Sequence, residues 1–135
     1  MADITVVAAD VRPLPGCIIR RFTSGDTISM GQPVYLSAAD TVSLADGSAT
    51  STSFCIGVAV ATPDGATSCV SGEMVDVVLE GPVAGYSTNM AHNILLFVDD
   101  DAGVICTTVG TKDYIIGIGL SASVLWVHPI PIDLT

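Results

Sequence analysis

The sequence predicts an all-β fold, a compact β-barrel or sandwich built from short antiparallel strands. Apolar residues make up 50% of the 135 positions and charged residues only 13%. Val, Ile, Thr, Ser and Gly are abundant, whereas Lys, Arg and Glu, which dominate exposed helix faces, are scarce. Short β-type runs recur between Gly, Pro, Asp and Ser, and no stretch has sustained helical periodicity.

These runs place the strands along the chain. We expect nine strands, at residues 17–22, 34–37, 42–44, 54–61, 74–80, 95–98, 104–107, 114–120 and 124–128. At most a single helical turn is expected in residues 46–53 and another in residues 87–92. Many short strands separated by turn residues at this spacing indicate a barrel or a sandwich.

Both ends of the chain differ from the middle. Residues 1–15 include Val11-Arg12-Pro13-Leu14-Pro15, whose two prolines prevent regular ladder pairing and favour extended backbone. We therefore predict an extended N-terminal arm over residues 1–15 and a single β-barrel-like domain over residues 16–135. The last seven residues are similar in character, and they carry Ile130 and Ile132, each directly after a proline. Apolar side chains on such backbone suit a segment that lies across a neighbouring chain.

A weak internal repeat divides the domain into two similar half-units. Residues 54–61 resemble residues 114–121, and each segment follows an aromatic hairpin that contains Tyr35 or Phe97. In both segments one strand face is bulky and branched, while the other carries Gly57 or Gly117. Glycine in a strand indicates close backbone approach by another layer. That layer is either another sheet of the same chain or a neighbouring subunit.

The charge excludes several classes of partner. The net charge is −10 and the chain has only four basic residues, so no basic face is available for nucleic acid or for an anionic membrane. No signal peptide and no apolar stretch long enough for a transmembrane helix is visible. Synthesis in the cytoplasm is expected, with the four cysteines as free thiols, and Cys17, Cys55 and Cys106 buried in the core.

No residue pattern predicts catalysis, a metal or a cofactor, so a non-enzyme is expected. His92 and His128 lie beside no recognisable nucleophile motif. Asp99, Asp100 and Asp101 superficially suggest calcium, but no Glu follows at the required position, and a hairpin turn ending in Gly is the better interpretation. Adventitious ion binding at this turn stays open.

Three arginines and the single tryptophan are the candidate contact residues within the domain. Arg12, Arg20 and Arg21 fall within ten positions of an otherwise acidic chain. They either pair internally with nearby aspartates or dock onto an acidic partner surface. Trp126, on the last expected strand, is either a core residue or an interface hot spot.

Several segments resemble the small capsid decoration proteins of tailed bacteriophages, from about residue 13 to residue 129. The resemblance is carried by Gly31-Gln32-Pro33-Val34-Tyr35-Leu36, Ile56-Gly57-Val58-Ala59, Gly72-Glu73-Met74-Val75-Asp76-Val77, Gly81-Pro82-Val83 and residues 116–127. The likeness implies a small β fold that oligomerises, commonly as a trimer, and that binds the outer surface of the expanded capsid. It also implies a clamp on adjacent major capsid proteins, often through an N-terminal arm.

The resemblance gives the functional expectation. We expect a structural virion protein on the outer capsid surface, with the major capsid protein and copies of itself as partners. The candidate capsid contacts are Val11, Arg12, Pro13, Leu14, Arg20 and Arg21, and the candidate oligomer contacts are Trp126, Ile130 and Ile132. The alternative is another virion component, such as a head fibre base, tail-tube or baseplate module. A small-ligand-binding β-barrel is a more distant alternative.

Overall fold

The computed structural model describes residues 3–112 and 114–130, and the described chain is almost entirely β-structure. Its twelve strands are β1 Arg12–Pro13, β2 Ile18–Ser24, β3 Ile28–Ser29, β4 Pro33–Ala38, β5 Thr41–Leu44, β6 Cys55–Ala61, β7 Ser68–Cys69, β8 Met74–Ala84, β9 Leu95–Val98, β10 Ile105–Cys106, β11 Ile115–Gly119 and β12 Val124–Ile130. A 3-10 turn, Ala8–Asp10, and one helical turn, α1 Thr50–Ser53, complete the elements. The all-β prediction is confirmed.

All nine expected strands are present, with boundaries shifted by a few residues. The helical turn expected in residues 46–53 is α1, whereas residues 87–92 contain non-helical turns. Asn89 adopts a positive φ of 71° there, a conformation that asparagine tolerates better than most residues. The short strands β1, β3 and β7 were not expected, because a two-residue pairing leaves no periodic signal in a sequence.

Five strands form a closed barrel. Strands β8, β2, β5, β4 and β6 are hydrogen-bonded in that order, and β6 pairs with β8 to close the ring. The expectation of purely antiparallel strands is wrong at one place, because β2 and β5 run parallel, with Thr23 opposite Thr41. A ring of five strands cannot alternate direction throughout, so closure requires one parallel pair.

The remaining strands of the sheet form a second half, which is joined to the closed barrel through the C-terminal end of β8. Its strand order is β8, β12, β11, β9 and β10, and every pair in it is antiparallel. Strand β8 is eleven residues long, so one strand belongs to both halves. Its first part pairs with β6 of the closed barrel, and its last residues pair with β12.

The N-terminal residues complete this second half, which corrects the prediction of a separate arm. Asp3 bridges Cys106 at the end of β10, and Val6 bridges Tyr86 just beyond β8. The following residues pair along β8, with Arg12 opposite Ala84. Side chains of this segment also enter the core, where Ile4 is only 5% exposed. The backbone is extended as expected, but residues 3–13 belong to the domain.

The two half-units share one pairing register. In the first, Tyr35 faces Cys55, Val34 faces Gly57 and Pro33 faces Val58; in the second, Phe97 faces Ile115, Leu96 faces Gly117 and Leu95 faces Ile118. One residue is skipped at the same place in each pair, where the ladder is irregular. The repeat that the sequence suggests is therefore present in the strand pairing.

Gly57 and Gly117 occupy equivalent positions beside these irregularities. A Cβ atom on Gly57 would clash with the carbonyl oxygen of Val78, and one on Gly117 would clash with that of Trp126. The predicted close backbone approach is confirmed. The approaching backbone, however, belongs to the adjacent strand of the same sheet and not to another layer or subunit. A kinked ladder brings neighbouring strands too close for any side chain at these two positions.

Candidate interaction surface

The candidate capsid contacts near the N-terminus are not equally accessible. Val11 is 9% exposed and packs in the hydrophobic core, so its side chain is not accessible to a partner in the folded domain. Pro13 and Leu14 are half-buried against β8, where the Leu14 amide donates to the carbonyl of Pro82 at 2.9 Å. Arg12 is exposed. Of these four residues, Arg12 remains the best placed to meet another molecule.

Arg20 and Arg21 each have an acidic partner within the chain. The Arg20 Nη2 atom lies 2.6 Å from Asp40 Oδ1. Arg21 donates from Nε and Nη2 to the two carboxylate oxygens of Asp76, at 2.8 and 3.2 Å. The paired Asp76 raises the pKa of the Arg21 guanidinium. Internal pairing, one of the two alternatives for these arginines, is therefore the arrangement in the folded chain.

The candidate oligomer contacts lie at or near the surface where the structure describes them. The Trp126 side chain is 36% exposed, which is unusual for so large an apolar group. Ile130 is half-buried and pairs with Ile115 at the end of β11. Ile132 lies outside the described residues. Of the two alternatives for Trp126, a core residue or a surface residue, the structure shows the surface residue.

Trp126 belongs to an apolar row that the sequence analysis did not identify. Leu95 faces Ile118, Ile118 faces Trp126, and Trp126 faces Pro82 across four adjacent strands. Directly opposed residues project from the same face of a sheet, so these four side chains form a continuous outer stripe. Leu95 is 52% exposed. We call this stripe the apolar row, and no single stretch of sequence reveals it because its members come from four strands.

Arg12 lies on the same sheet face as the apolar row. It is opposed by Ala84, and Ala84 is opposed by Val124. Ala84 and Pro82 are two residues apart on β8, so their side chains lie on one face. The structure thereby brings one capsid-contact candidate and one oligomer-contact candidate, Arg12 and Trp126, onto a common surface. Arginine and tryptophan are the residue types most enriched at interface hot spots.

The three consecutive aspartates do not converge on a common point. Asp99 is buried and accepts from the Asp100 amide at 2.6 Å, while Asp100 accepts from the amide and hydroxyl of Thr111 at 2.8 and 2.7 Å. The turn closes with Gly103 at a φ of 76°. Among residues 3–112 and 114–130, no group of three His, Cys, Asp or Glu residues is arranged to hold a metal ion. The turn interpretation fits this geometry.

The cysteines are free thiols in the described structure. Cys55, Cys69 and Cys106 are buried, whereas Cys17 is half-buried, which corrects its assignment to the core. Burial raises the pKa of Cys55 to about 12, and burial together with the negative charge of Asp99 raises that of Cys106 to about 11. Both thiols therefore stay protonated at neutral pH and are poor nucleophiles.

Asp99 is a buried acid beside the N-terminal segment. Burial is the main cause of its raised pKa, and the neighbouring carboxylate of Asp3 raises the pKa further. A pKa that is higher in the folded chain than in the unfolded chain stabilises the fold below the ordinary aspartate value of 3.8. That contribution is lost as the pH rises through the raised pKa. At neutral pH the junction between Asp3 and Asp99 is thus under electrostatic repulsion.

Asp99→Asn should therefore raise the melting temperature at pH 7 by a few degrees. The Asn side chain keeps an oxygen for the Asp100 amide and donates an N–H to Asp3, so the repulsion is replaced by a hydrogen bond. Thermal unfolding measured from pH 4 to pH 8 should show a flatter pH dependence than in the parent. Asp3→Asn should flatten it less, because burial, the main cause of the raised Asp99 pKa, remains. An unchanged slope in both variants would refute the proposed repulsion.

The remaining candidate groups are ordinary surface residues. His128 Nδ1 lies 2.8 Å from Glu80 Oε1 on adjacent strands, and both side chains are solvent-accessible. His92 is exposed in a turn. Within the described part of the chain, no helix has the length and apolar character needed to cross a membrane.

The chain was compared with protein-family models and with curated proteins, and neither comparison produced a match.

Proposed function

We propose that this chain is a structural virion protein that binds the outer surface of a tailed-phage capsid as a homotrimer. It stabilises the expanded shell by clamping neighbouring major capsid proteins, and it has no catalytic role. The observation that supports assembly most strongly is the exposed apolar row formed by Leu95, Ile118, Trp126 and Pro82. An exposed contiguous apolar surface on a chain with so few charges marks an interface.

The clamp acts through avidity and mass action. A trimer presents three copies of each contact, so the second and third contacts with the lattice are effectively intramolecular. Binding only to the expanded lattice stabilises that state relative to the unexpanded one. Because residues 3–13 pack within the domain, we propose that the sheet face that carries Arg12 and the apolar row contacts the other copies of the chain and the major capsid protein.

Trp126→Gln tests the role of the apolar row. Loss of an interface hot spot costs about 2 kcal/mol or more, which corresponds to roughly 30-fold weaker association. The folded structure should persist because the tryptophan is partly exposed and lies on the outer face of β12. Sedimentation velocity across a concentration series should show dissociation of the variant at concentrations where the parent is trimeric.

The matched control is Val70→Gln, which changes an apolar residue that is 56% exposed and lies outside the row. Its association should equal that of the parent. If the Trp126 variant associates as strongly as the parent, the apolar row is not part of the interface. Immunogold electron microscopy of particles of the encoding phage tests the location directly. Label on heads supports the proposal, whereas label on tails favours the alternative virion component.

A further inference from the structure

The surface that carries the apolar row extends beyond the row itself. Leu120 directly follows β11, is 46% exposed and donates its amide to the carbonyl of Val124 at 2.9 Å. Because Leu120 is two positions beyond Ile118, it lies on the same side of the sheet. A second line of side chains therefore runs beside the apolar row. This line ends at Arg12, because Val124 faces Ala84 and Ala84 faces Arg12.

The opposite margin of this surface carries Glu80 and His128. His128 is two residues beyond Trp126 on β12, and Val127 between them is fully buried, so His128 and Trp126 project outward together. Glu80 Oε1 lies 2.8 Å from His128 Nδ1, which places the Glu80 carboxylate on the same surface. Four residues of β8, about 13 Å, separate Glu80 from the position that faces Arg12. We call the surface between these two margins the outer face.

The outer face differs in charge from the rest of the chain. The chain has a net charge of −10, whereas the described positions of the outer face carry one carboxylate, Glu80, together with Arg12 and His128. Within the described residues Arg12 has no ion-pair partner, while Arg20 and Arg21 are each paired with an aspartate. Two copies of an acidic chain repel each other. A face nearly free of acidic groups is therefore where a second copy can approach most closely.

We propose that three copies of the chain form a ring in which Arg12 of each copy pairs with Glu80 of the next copy. This inference rests on the proposed function, because it takes the homotrimer as given. A closed ring of identical subunits needs two different, complementary patches on every copy. Arg12 and Glu80 supply opposite charges at opposite margins of one face. The apolar row lies between these margins and packs around the three-fold axis.

The chemistry of Glu80 is compatible with this second partner. A carboxylate accepts hydrogen bonds at both oxygens, so Glu80 receives the guanidinium while it keeps its contact with His128. An ion pair on the surface of a single copy contributes little. At the ring contact, Trp126 and Pro82 lie beside the pair and exclude water, and close charge pairs at interfaces contribute more. The ion pair then determines which margins meet, and the apolar row supplies most of the association free energy.

Charge reversal tests the ion pair. Arg12→Glu and Glu80→Arg each place like charges at all three contacts, so each should weaken association at least about tenfold in sedimentation velocity. The double variant has the net charge of the parent and should regain the parent's association to within about threefold. Arg20→Glu is the matched control, because it changes the net charge as Arg12→Glu does but lies on β2 beside Asp40. This control should associate like the parent.

A mixture of the two single variants distinguishes a three-membered ring from a two-fold pair. Arg12→Glu chains have two negative margins, and Glu80→Arg chains have two positive margins. An assembly of one chain of each kind satisfies both of its contacts. A ring of three cannot alternate, so at least one of its contacts joins like charges. The mixture should therefore associate more weakly than the double variant, and full recovery in the mixture would overturn the proposed ring.

The remaining outcomes separate this inference from the proposed function. If the parent is trimeric and both single variants associate as strongly as the parent, the ion pair is wrong while the trimer stands. If the single variants stay trimeric but no longer sediment with purified capsids of the encoding phage, Arg12 and Glu80 contact the capsid protein, and the inference again fails alone. A parent that is monomeric at every concentration overturns both.

Discussion

Gly57→Ala should destabilise the protein by about 3 kcal/mol or more. The new methyl group would clash with the Val78 carbonyl oxygen, which is backbone and cannot move aside without breaking the pairing of β6 with β8. Gly117→Ala should have a comparable effect, because the carbonyl oxygen of Trp126 lies at the equivalent place. Urea denaturation monitored by circular dichroism measures both values.

Gly65→Ala separates the steric effect from the general cost of replacing glycine. Gly65 has a φ of 81°, but nothing lies within 4 Å of a Cβ atom there. Only the backbone conformation opposes the substitution, and this costs about 1–2 kcal/mol. If the three variants lose the same stability, the close approach of strands at Gly57 and Gly117 does not account for the glycines.

Removal of residues 1–15 should abolish cooperative folding. Ile4 and Val11 are buried in the core, and loss of one large buried aliphatic side chain costs about 2–5 kcal/mol. The truncation also removes two backbone hydrogen bonds, which the amides of Ile4 and Val7 donate to the carbonyls of Ile105 and Gly85 at 2.8 and 2.9 Å. The combined loss is comparable to the whole stability of a small domain, about 5–15 kcal/mol.

Thermal unfolding of the truncated chain measures this effect. Val7→Ala is the matched control, because Val7 lies in the same segment but is 43% exposed. The control should change stability by no more than about 0.5 kcal/mol. A truncated chain that unfolds cooperatively at the melting temperature of the parent would support the separate N-terminal arm that the two prolines suggest. It would contradict the packing of residues 3–13 into the domain.

The strand positions were predictable because they depend on local composition. Each expected strand is a short run of β-branched and aromatic residues that ends at Gly, Pro, Asp or Ser, and such runs need no tertiary information. The repeat was also visible, since Gly57 and Gly117 recur in similar surroundings. Their physical reason was not visible. It lies in the carbonyl groups of neighbouring strands, which only the pairing register places there.

The N-terminal segment shows why contacts between distant parts of the chain cannot be predicted from local sequence. Prolines correctly indicate extended backbone around Arg12 and Pro13, but they do not say against what that backbone lies. Asp3 meets Cys106, which is more than one hundred residues away in the sequence. Likewise, the apolar row joins Pro82, Leu95, Ile118 and Trp126 from four strands. A contact surface of this kind becomes visible only when the strand order is known.

The buried acid is a further example. Asp99 begins a run of three aspartates that resembles a solvated turn, and two of them do belong to its surface. Asp99 itself is only 4% exposed, and its carboxyl group interacts with that of Asp3. Sequence spacing gave no sign that the end of the chain would cover it.

The central claim is that the folded chain completes its burial by joining copies of itself through the apolar row. Multi-angle light scattering during size-exclusion chromatography tests it most directly. The account predicts a mass three times that of the 13.8 kDa chain, independent of dilution over the micromolar range. A single species of 13.8 kDa at every concentration would contradict it.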